Sequence, residues 1–348
     1  MEIVHKHLLF HNLPSLFLAF GIKNVAFEKF TIVDVLSGDK KIGKRRFEDS
    51  VVVATGLCKI MKVELEVISY EDRFKVLSLI TEDSVVDIAV IRHLNLSKNL
   101  VKKITILGSG LENLAITSPK VLDVIRNRKL LPQLKRRVDI IRIFILPFGI
   151  SKLYTLSPNS KKAMGIKTQS LNYKKIGSIL KILSSELEAI NSESKFLKKL
   201  QDVKDVCLFV VPLAQALGGT PDFNIKLINQ SLQYAKENFI QTVVIKSHPA
   251  DDTNYLAVFS SSIAFENEIE LLQATEFFDR TIPLEILALK VPDFALYGFI
   301  SSAHFTLMNF FNRGMVVALP KINQPGAVWS DYSIGYAKPI FTGTIKYI

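Results

Sequence analysis

Short apolar runs alternate along this chain with longer segments in which apolar residues recur at helical spacing. Runs of about four to eight residues rich in β-branched and aromatic side chains predict strands. Such runs occupy residues 7–10, 30–35, 64–68, 86–91, 103–107, 205–211, 242–246, 263–265, 294–300 and 315–318. Helices are predicted at residues 16–21, 71–80, 118–128, 173–190, 224–239 and 282–289. Strands and helices in alternation are typical of parallel sheets covered by helices, so the pattern predicts an α/β protein.

One polar stretch interrupts this alternation and predicts a domain boundary. Residues 191–204 are dense in Ser, Lys, Glu and Asp and stand directly before the apolar residues 206–211. A chain of 348 residues is long enough for two domains, each with its own core. We therefore expect one Rossmann-like domain in residues 1–200 and another in 201–348. Their parallel sheets are expected to face each other across a central cleft.

Composition narrows the class of protein. Hydrophobic residues make up 48% and charged residues 22%, which excludes a disordered chain. The two cysteines, Cys58 and Cys207, lie in apolar runs, which favours buried free thiols and a reducing cytoplasm. Polar residues and a proline interrupt the apolar stretch at residues 8–20, so we interpret it as a first buried strand and helix, not a signal peptide. No window reaches the about 20 apolar residues that span a bilayer.

The net charge of +11 is concentrated in two clusters. Basic clusters suit anionic phosphates, either lipid headgroups or nucleic acid. Because the second cluster stands directly before the apolar residues 138–150, and no aromatic-interleaved motif is found, we favour an anionic membrane and expect no nucleic acid partner. Solvated helix faces remain the alternative. The expected location is cytoplasmic, peripheral on the inner membrane face. The clusters are Lys40, Lys41, Lys44, Arg45, Arg46 and Arg126, Arg128, Lys129, Lys135, Arg136, Arg137.

The first candidate for chemistry is the stretch Val-Val-Ile-Lys-Ser-His-Pro at residues 243–249. The carboxyl ends of parallel strands line the ligand crevice, so Lys246 and His248 are expected there. Pro249 biases the backbone of His248 towards an extended conformation. Since imidazole titrates near neutral pH, His248 is a candidate proton donor to a departing phosphate. A histidine with only a structural role is the alternative.

Two further stretches are candidates for binding a nucleotide. The predicted strand at 294–300 runs into Ser301, Ser302 and a helical stretch at 305–311, which is the pattern of an anion site or of plain N-capping. Between the two strand ends, Glu285 follows Ile-Pro-Leu in the first turn of a predicted helix. Its carboxylate suits either ribose hydroxyls or the helix dipole alone.

Together these motifs resemble those of the bacterial sialyltransferases that build lipooligosaccharide and capsular polysialic acid, which have a two-domain GT-B fold. The resemblance is carried by Lys-x-His-Pro at 246–249, Ile-Pro-x-Glu at 282–285, and the paired serines 301–302 after Tyr-Gly-Phe-Ile. Looser matches lie at residues 209–215 and 8–14. The specific motifs all fall between residues 205 and 320.

The resemblance implies an inverting transfer of sialic acid from CMP-sialic acid to a glycan or lipid-linked glycan acceptor, through an oxocarbenium-like transition state. It implies that His248 assists the departure of CMP, while Ser301 and Ser302 hold its phosphate. Glu285 would contact the ribose, and no metal or other cofactor is expected. The implied donor-binding residues are Lys246, Pro249, Glu285, Ser301 and Ser302.

The chain departs from this family at the general base. The family carries an acidic pair followed by Gly in its N-terminal domain, and the second carboxylate deprotonates the acceptor. Here the predicted strand runs into Gly108-Ser109-Gly110, where the acidic pair should stand. A positioned base typically contributes about 10²–10⁴-fold, so its replacement matters. Glu112 is the nearest substitute, and Asn12 and Ser109 are expected on the acceptor side.

Two other functions remain open. The same fold could use another donor, such as CDP-glycerol or a different nucleotide sugar, or the chain could be a degenerate homologue without a base. The Gly-Ser-Gly turn lacks the Lys of a P-loop, which argues against a phosphate cradle. His7 and His11 flank a predicted strand segment with no Glu between them, so no metal site is expected.

Overall fold

The structure is a computed structural model of the 348-residue chain, which forms two compact units, Met1–Leu183 and Ser184–Ile348. The division falls within one long helix, while the sequence led us to expect a boundary near residue 200. The residues that the structure describes are 4–35, 41–94, 96–101, 103–108, 152–155, 168–169, 171–190, 194–203, 206–211, 221–247, 251, 253–259, 269–276, 279–280, 282–291, 293–298, 306–307, 316–319 and 344–347.

The first unit contains a seven-stranded sheet in the order β3-β2-β1-β4-β5-β6-β7, in which every neighbouring pair is parallel. Strands β4 and β5 are buried along their whole length, and so are the last three residues of β1, as expected for a sheet covered on both faces. The strands are β1 (Val4–Phe10), β2 (Val25–Val33), β3 (Glu64–Ile68), β4 (Ser84–Asp87), β5 (Thr105–Gly108), β6 (Lys152–Thr155) and β7 (Thr168–Gln169).

The first helix of this unit begins where a polar side chain satisfies a free backbone N–H. The Asn12 side chain accepts a hydrogen bond from the Ser15 N–H at 2.9 Å, and Pro14 lies in the first turn of the helix. Among the described residues, the helices are α1 (Leu13–Ala19), α2 (Lys41–Met61), α3 (Ile88–Leu94), α4 (Lys98–Val101) and α5 (Tyr173–Ile190), with a 3₁₀ helix at Arg73–Ser78.

The second unit contains a four-stranded parallel sheet in the order β10-β9-β8-β11, and a separate parallel pair, β12 with β13. The strands are β8 (Cys207–Val211), β9 (Thr242–Ile245), β10 (Glu270–Gln273), β11 (Phe294–Gly298), β12 (Val316–Leu319) and β13 (Thr344–Tyr347). The helices in the described part of this unit are α6 (Lys195–Asp202), α7 (Pro221–Glu237), α8 (Tyr255–Phe259) and α9 (Leu284–Leu287), with a 3₁₀ helix at Ala288–Lys290.

Each unit has an apolar core of its own. In the first unit, the core joins residues of β1, β2, β4 and β5 with residues of α3. In the second, the buried face of α7 packs with β8 and β9. Cys58 lies in the first unit and Cys207 in the second, and both are buried free thiols. Within the described residues, no helix is both long enough and apolar enough to cross a membrane.

The predicted α/β class with parallel sheets is confirmed, and several local predictions need correction. The strand predicted at 86–91 is wrong from Ile88 onward, because β4 ends at Asp87 and α3 begins at Ile88. The helix predicted at 71–80 is a shorter 3₁₀ helix. α2 was not predicted at all. The segments predicted at 118–128 and 263–265 lie outside the described residues.

Candidate functional site

Only part of the predicted site falls within the described residues. His248, Pro249, Ser301, Ser302, Ser109 and Glu112 lie outside them. Lys246, Glu285 and Asn12 are described, together with Ser247 and Gly298, which border the two predicted donor-binding stretches. The described part of the candidate site therefore consists of residues that flank these stretches.

Three adjacent strands bring the flanking residues to one edge of the second sheet. β8 pairs in parallel with β9 on one side and with β11 on the other. Lys246 follows β9, and its N–H donates to the Val210 carbonyl of β8 at 2.8 Å. Gly298 ends β11 opposite Val211 of β8. Carboxyl ends of parallel strands bind ligands in α/β sheets, so this edge is the candidate donor site.

Gly298 lets the two strands approach closely at this edge. Its φ is +152°, a backbone conformation that L side chains rarely adopt. A Cβ atom at this position would lie 2.7 Å from the Val211 carbonyl oxygen. The glycine of the Tyr-Gly-Phe-Ile stretch is therefore required by backbone geometry.

The Lys246 side chain points into the protein. It is buried, with 7% relative exposure, and its Nζ donates to the Arg280 carbonyl. Its charge also acts on Glu285 and Asp279 and lowers the pKa of both carboxyls, although burial raises each pKa by more. The positive charge of Lys246 therefore partly compensates the negative charge of the buried Glu285 and Asp279 carboxylates.

Glu285 lies in α9 and is also buried. The Thr306 hydroxyl donates to its Oε1 at 2.5 Å. Burial raises the pKa of the Glu285 carboxyl, while the Thr306 hydrogen bond and the Lys246 charge lower it by less. Thr306 comes four positions after Ser302, so these contacts join the flanks of all three motifs that carry the family resemblance.

A second buried carboxylate lies beside the same lysine. Ser194, the N-cap of α6, accepts from the Leu197 N–H at 3.0 Å. The Ser194 hydroxyl lies 2.8 and 2.9 Å from the two carboxylate oxygens of Asp279 and donates to this carboxylate. Burial raises the pKa of Asp279, and this hydrogen bond opposes the rise.

Sequence reasoning missed a polar network on the far side of the His-Pro stretch. The buried Asp251 carboxylate accepts from the Tyr255 hydroxyl at 2.7 Å, the Thr253 N–H at 3.1 Å and the Asn224 amide at 3.3 Å. Gln273 then joins both flanks of the stretch, because its Nε2 donates to the Ser247 hydroxyl at 3.3 Å and to the Thr253 carbonyl at 2.7 Å. A sequence signal was present, since Asp251 stands two positions after Pro249.

At the carboxyl edge of the first sheet, the described polar residues include His11, Asn12 and Asp87. Asn12, predicted on the acceptor side, caps α1 through its side chain. His11 is partly exposed, and its Nδ1 lies 2.9 Å from the Val33 carbonyl at the end of β2. A carbonyl only accepts hydrogen bonds, so Nδ1 carries the proton.

Asp87 supports this edge from the neighbouring strand. Its Oδ2 accepts from the His11 N–H at 3.3 Å, and its Oδ1 accepts from the Ala89 N–H at 3.0 Å. Burial raises the pKa of Asp87, while these N–H groups, the Ser15 hydroxyl and the His11 charge oppose the rise. In the sequence, Asp87 ends a Val-Val-Asp run, which is a signal for a polar residue at a strand end. The signal was missed because a longer strand was predicted through this position.

His7 and His11 do not share a site. The His7 Nε2 is 2.7 Å from the Thr31 hydroxyl, which donates to Glu66 at 3.3 Å, so Nε2 is the donor to Thr31. His11 instead contacts Val33 and Asp87. In the part of the chain that the structure describes, no group of three or more His, Cys, Asp and Glu residues is arranged to hold a metal ion.

Comparisons with known proteins return similar structures at low identity. One is an alpha/beta-galactoside alpha-2,3-sialyltransferase from Photobacterium phosphoreum, with a TM-score of 0.49 and 12% identity over 100% of this chain and 98% of that one. Another is a UDP-GlcNAc 2-epimerase from Neisseria meningitidis bound to UDP-GlcNAc, with a TM-score of 0.49 and 13% identity over 94% and 85% of the two chains. No protein-family model and no curated protein matches. With identities this low, neither structure assigns an activity to this chain.

Proposed function

We propose that this chain is a glycosyltransferase that moves sialic acid, or a similar acidic sugar, from a CMP donor to a cell-surface glycan such as lipooligosaccharide or capsule. One observation carries the proposal: Lys246, Glu285 and the Thr306 hydroxyl form a linked polar group below one sheet edge. They flank or belong to the Lys-x-His-Pro, Ile-Pro-x-Glu and Ser-Ser motifs, which lie far apart in sequence.

The proposed roles of His248, Ser301 and Ser302 follow from the motif resemblance, and those of Lys246 and Glu285 are supported by their buried contacts at this edge. His248 donates a proton to the departing CMP phosphate, and Ser301 and Ser302 bind that phosphate. Glu285 binds the ribose, with a ribose hydroxyl sharing or replacing the Thr306 hydroxyl as hydrogen-bond donor. Lys246 favours the ionised form of Glu285, which accepts such hydrogen bonds, because its positive charge stabilises the carboxylate.

The donor can be identified by thermal shift with CMP, UMP and CDP-glycerol in parallel, followed by assay of CMP release from CMP-sialic acid. We expect stabilisation by CMP above the other two and measurable turnover. Preference for CDP-glycerol would instead support the alternative donor. Absence of both a CMP shift and CMP release would overturn the proposal.

A histidine pair gives the matched test of the leaving-group role. His248→Ala should lower turnover by about 10²–10⁴-fold, the usual contribution of a positioned acid. His93→Ala, at an exposed position of α3, serves as the control and should leave turnover unchanged. Equal activity of the two variants would remove His248 from the mechanism.

Peripheral attachment to an anionic membrane is part of the same proposal. Four basic residues, Lys41, Lys44, Arg45 and Arg46, fall within the first six positions of α2. The second basic cluster and the apolar residues 138–150 lie outside the described residues. The protein should float with phosphatidylglycerol vesicles at low salt and be released at high salt, because surface charge attraction is screened. Failure to bind at low salt would remove the membrane from the proposal.

A further inference from the structure

The segment that connects β3 to β4 leaves two large apolar side chains exposed. It contains the 3₁₀ helix Arg73–Ser78, whose Val76 is fully buried and belongs to the core of the first unit. By contrast, Phe74 is 54% exposed and Leu77 is 41% exposed. Because a 3₁₀ helix has three residues per turn, side chains three positions apart lie on the same face. Phe74 and Leu77 therefore form one apolar face that is open to solvent.

Arg73 holds this apolar face in position. Its Cζ lies 4.0 Å from the centre of the Tyr70 ring and 4.5 Å from the centre of the Phe74 ring, and its guanidinium donates to the Tyr70 carbonyl at 2.6 Å. Stacking of this kind orders the rings before a partner binds, so less side-chain entropy is lost on binding. We call Tyr70, Arg73, Phe74 and Leu77 the 3₁₀ surface.

The start of α2 lies near the 3₁₀ surface. β2 and β3 pair in parallel and end together at Val33 and Ile68. α2 follows the first of these strands, and the 3₁₀ helix follows the second. An electrostatic interaction links Lys44 of α2 to Glu71, which stands two positions before Arg73. The basic start of α2 therefore adjoins the exposed apolar face.

The charge of this region is positive. Residues 41–46 and 70–77 contain six basic and two acidic residues, and the first turn of α2 contains no acidic residue. Both acidic residues interact with neighbouring cations, because the Asp72 carboxylate lies 2.8 Å from Nζ of Lys75 and Glu71 interacts with Lys44. The region therefore combines positive charge with exposed apolar side chains.

An anionic lipid surface fits both properties. Basic clusters are attracted to anionic headgroups, and neighbouring Phe and Leu side chains can enter the boundary between headgroups and acyl chains. A single strand of nucleic acid fits less well, because bases stack on aromatic rings and Leu77 offers none.

We propose that the 3₁₀ surface is a membrane-contact site, at which Phe74 and Leu77 enter an anionic bilayer while the start of α2 lies against its headgroups. The inference rests on the peripheral attachment named in the proposed function. It adds an apolar contact to the attraction between charges and assigns that contact to particular residues.

Vesicle flotation with Phe74→Ala and Leu77→Ala tests the apolar contact. Each substitution should lower the partition coefficient on phosphatidylglycerol–phosphatidylcholine vesicles by about 3- to 10-fold, because it removes apolar surface that the membrane would cover. The factor should be the same at every salt concentration at which the wild type binds, since salt does not screen apolar burial. Lys44→Ala should instead lower binding mainly at low salt.

Phe239→Ala and Ile182→Ala are the matched controls. Phe239 is more exposed than Phe74, and Ile182 is more exposed than Leu77, but neither belongs to the 3₁₀ surface. Both controls should bind vesicles as the wild type does. Thermal denaturation followed by circular dichroism checks that every variant is folded.

A fluorescent side chain gives an independent measurement of insertion. The chain contains one tryptophan, Trp329, so Phe74→Trp in a Trp329→Phe background leaves a single indole. Its emission should shift to shorter wavelength on anionic vesicles and be quenched by brominated lipid, because the indole leaves water. Emission unchanged by vesicles that bind the protein would contradict insertion at this position.

The outcomes separate this inference from the proposed function. Vesicle binding that is unchanged in both Phe74→Ala and Leu77→Ala, while the wild type binds, would overturn the inference and leave peripheral attachment in place. Self-association in sedimentation velocity that Phe74→Ala abolishes, with vesicle binding unchanged, would assign the surface to a second copy of the chain and also overturn it. A wild type that does not bind at low salt would overturn both the inference and the attachment, while CMP release tests the transferase separately.

Discussion

At the scale of single residues, backbone geometry at the candidate site excludes any residue other than glycine at position 298. Gly298→Ala should lower the free energy of unfolding by at least about 1–3 kcal/mol, the usual cost of a strained backbone position. The added Cβ would also lie 2.7 Å from the Val211 carbonyl oxygen, and the φ of +152° disfavours any side chain. Urea denaturation monitored by circular dichroism measures the change.

Gly177→Ala is the matched control for this prediction. Gly177 lies within α5, and a Cβ atom added there would have open space around it, with nothing within 4 Å. Alanine there should raise stability by about 0.5–1 kcal/mol, because Gly loses more conformational entropy in a helix. If both substitutions changed the free energy of unfolding in the same direction, the argument from φ and close approach at Gly298 would be wrong.

Glu285 makes stability depend on pH in a direction that can be worked out. Burial raises its pKa in the folded chain above the ordinary value of about 4.3, so the folded state holds the proton more tightly. The stability that this tighter proton binding adds to the folded state is fully present below about pH 4.3. It is lost as pH rises through the raised pKa of Glu285 in the folded chain. The free energy of unfolding of the wild type minus that of Glu285→Gln should therefore fall as pH rises above about 4.3.

Urea titrations of both proteins across this pH range test the prediction. The comparison cancels the other carboxyl groups, and Gln keeps an acceptor for the Thr306 hydroxyl. A difference that rises with pH would mean that the Lys246 charge outweighs burial at this site.

Residue roles were the hardest feature to predict from the sequence. Lys246 was predicted at a strand end and Glu285 in the first turn of a helix, and the structure places them there, but the sequence did not reveal that both are buried. His11 and Asp87 were not predicted as partners, because they are 76 positions apart and meet only when β1 and β4 pair. Burial and long-range pairing are properties of the fold and leave little trace in local sequence.

At the scale of elements, the start of α6 stabilises a buried carboxylate as well as a helix. Ser194→Ala should cost about 1–3 kcal/mol, because it removes both the N-cap contact with Leu197 and the hydrogen bond to Asp279. Asn172→Ala is the control, since Asn172 is exposed and its side chain accepts from the Lys175 N–H at 3.2 Å near the start of α5. Thermal and urea denaturation should show the larger loss for Ser194→Ala. Equal losses would mean that Asp279 gains nothing from the serine.

The predicted element boundaries were wrong where a single residue or run is compatible with both a strand and a helix. The apolar run at 86–91 predicts a strand throughout, but Asp87 accepts from the Ala89 N–H and starts a helix instead. α2 contains the β-branched run Val51, Val52 and Val53, which disfavours a helix by propensity. Packing of Val53, Ala54 and Leu57 into the core outweighs that preference.

At the scale of the whole molecule, each unit has a core of its own. We therefore predict that a destabilising substitution in one core leaves the stability of the other unit unchanged. Ile106→Ala in the first core and Ile228→Ala in the second should each cost about 2–5 kcal/mol, because each leaves a cavity at a side chain with 0% exposure. Amide hydrogen exchange should accelerate in β4 and β5 for Ile106→Ala, and in β8 and β9 for Ile228→Ala. Acceleration in both sheets for either variant would show that the chain opens as one cooperative unit.

The architecture was easier to predict than the site because it depends on a repeated pattern. Strand and helix alternation recurs along the chain, so errors at 71–80 or 86–91 do not change the α/β class. Strand order is different, since β1 lies between β2 and β4, and β8 lies between β9 and β11. Such orders are set by crossover connections, which the periodicity of single segments does not encode.

The two buried thiols give each unit its own reporter. Cys58 and Cys207 have 5% and 0% relative exposure, and burial raises the pKa of both, that of Cys58 to about 12. Only the thiolate reacts readily, so neither cysteine should be alkylated in the intact protein at neutral pH. The labelling rate of each cysteine then measures how often its own unit opens. Mass spectrometry of the two cysteine peptides reads both rates, and no probe has to be introduced.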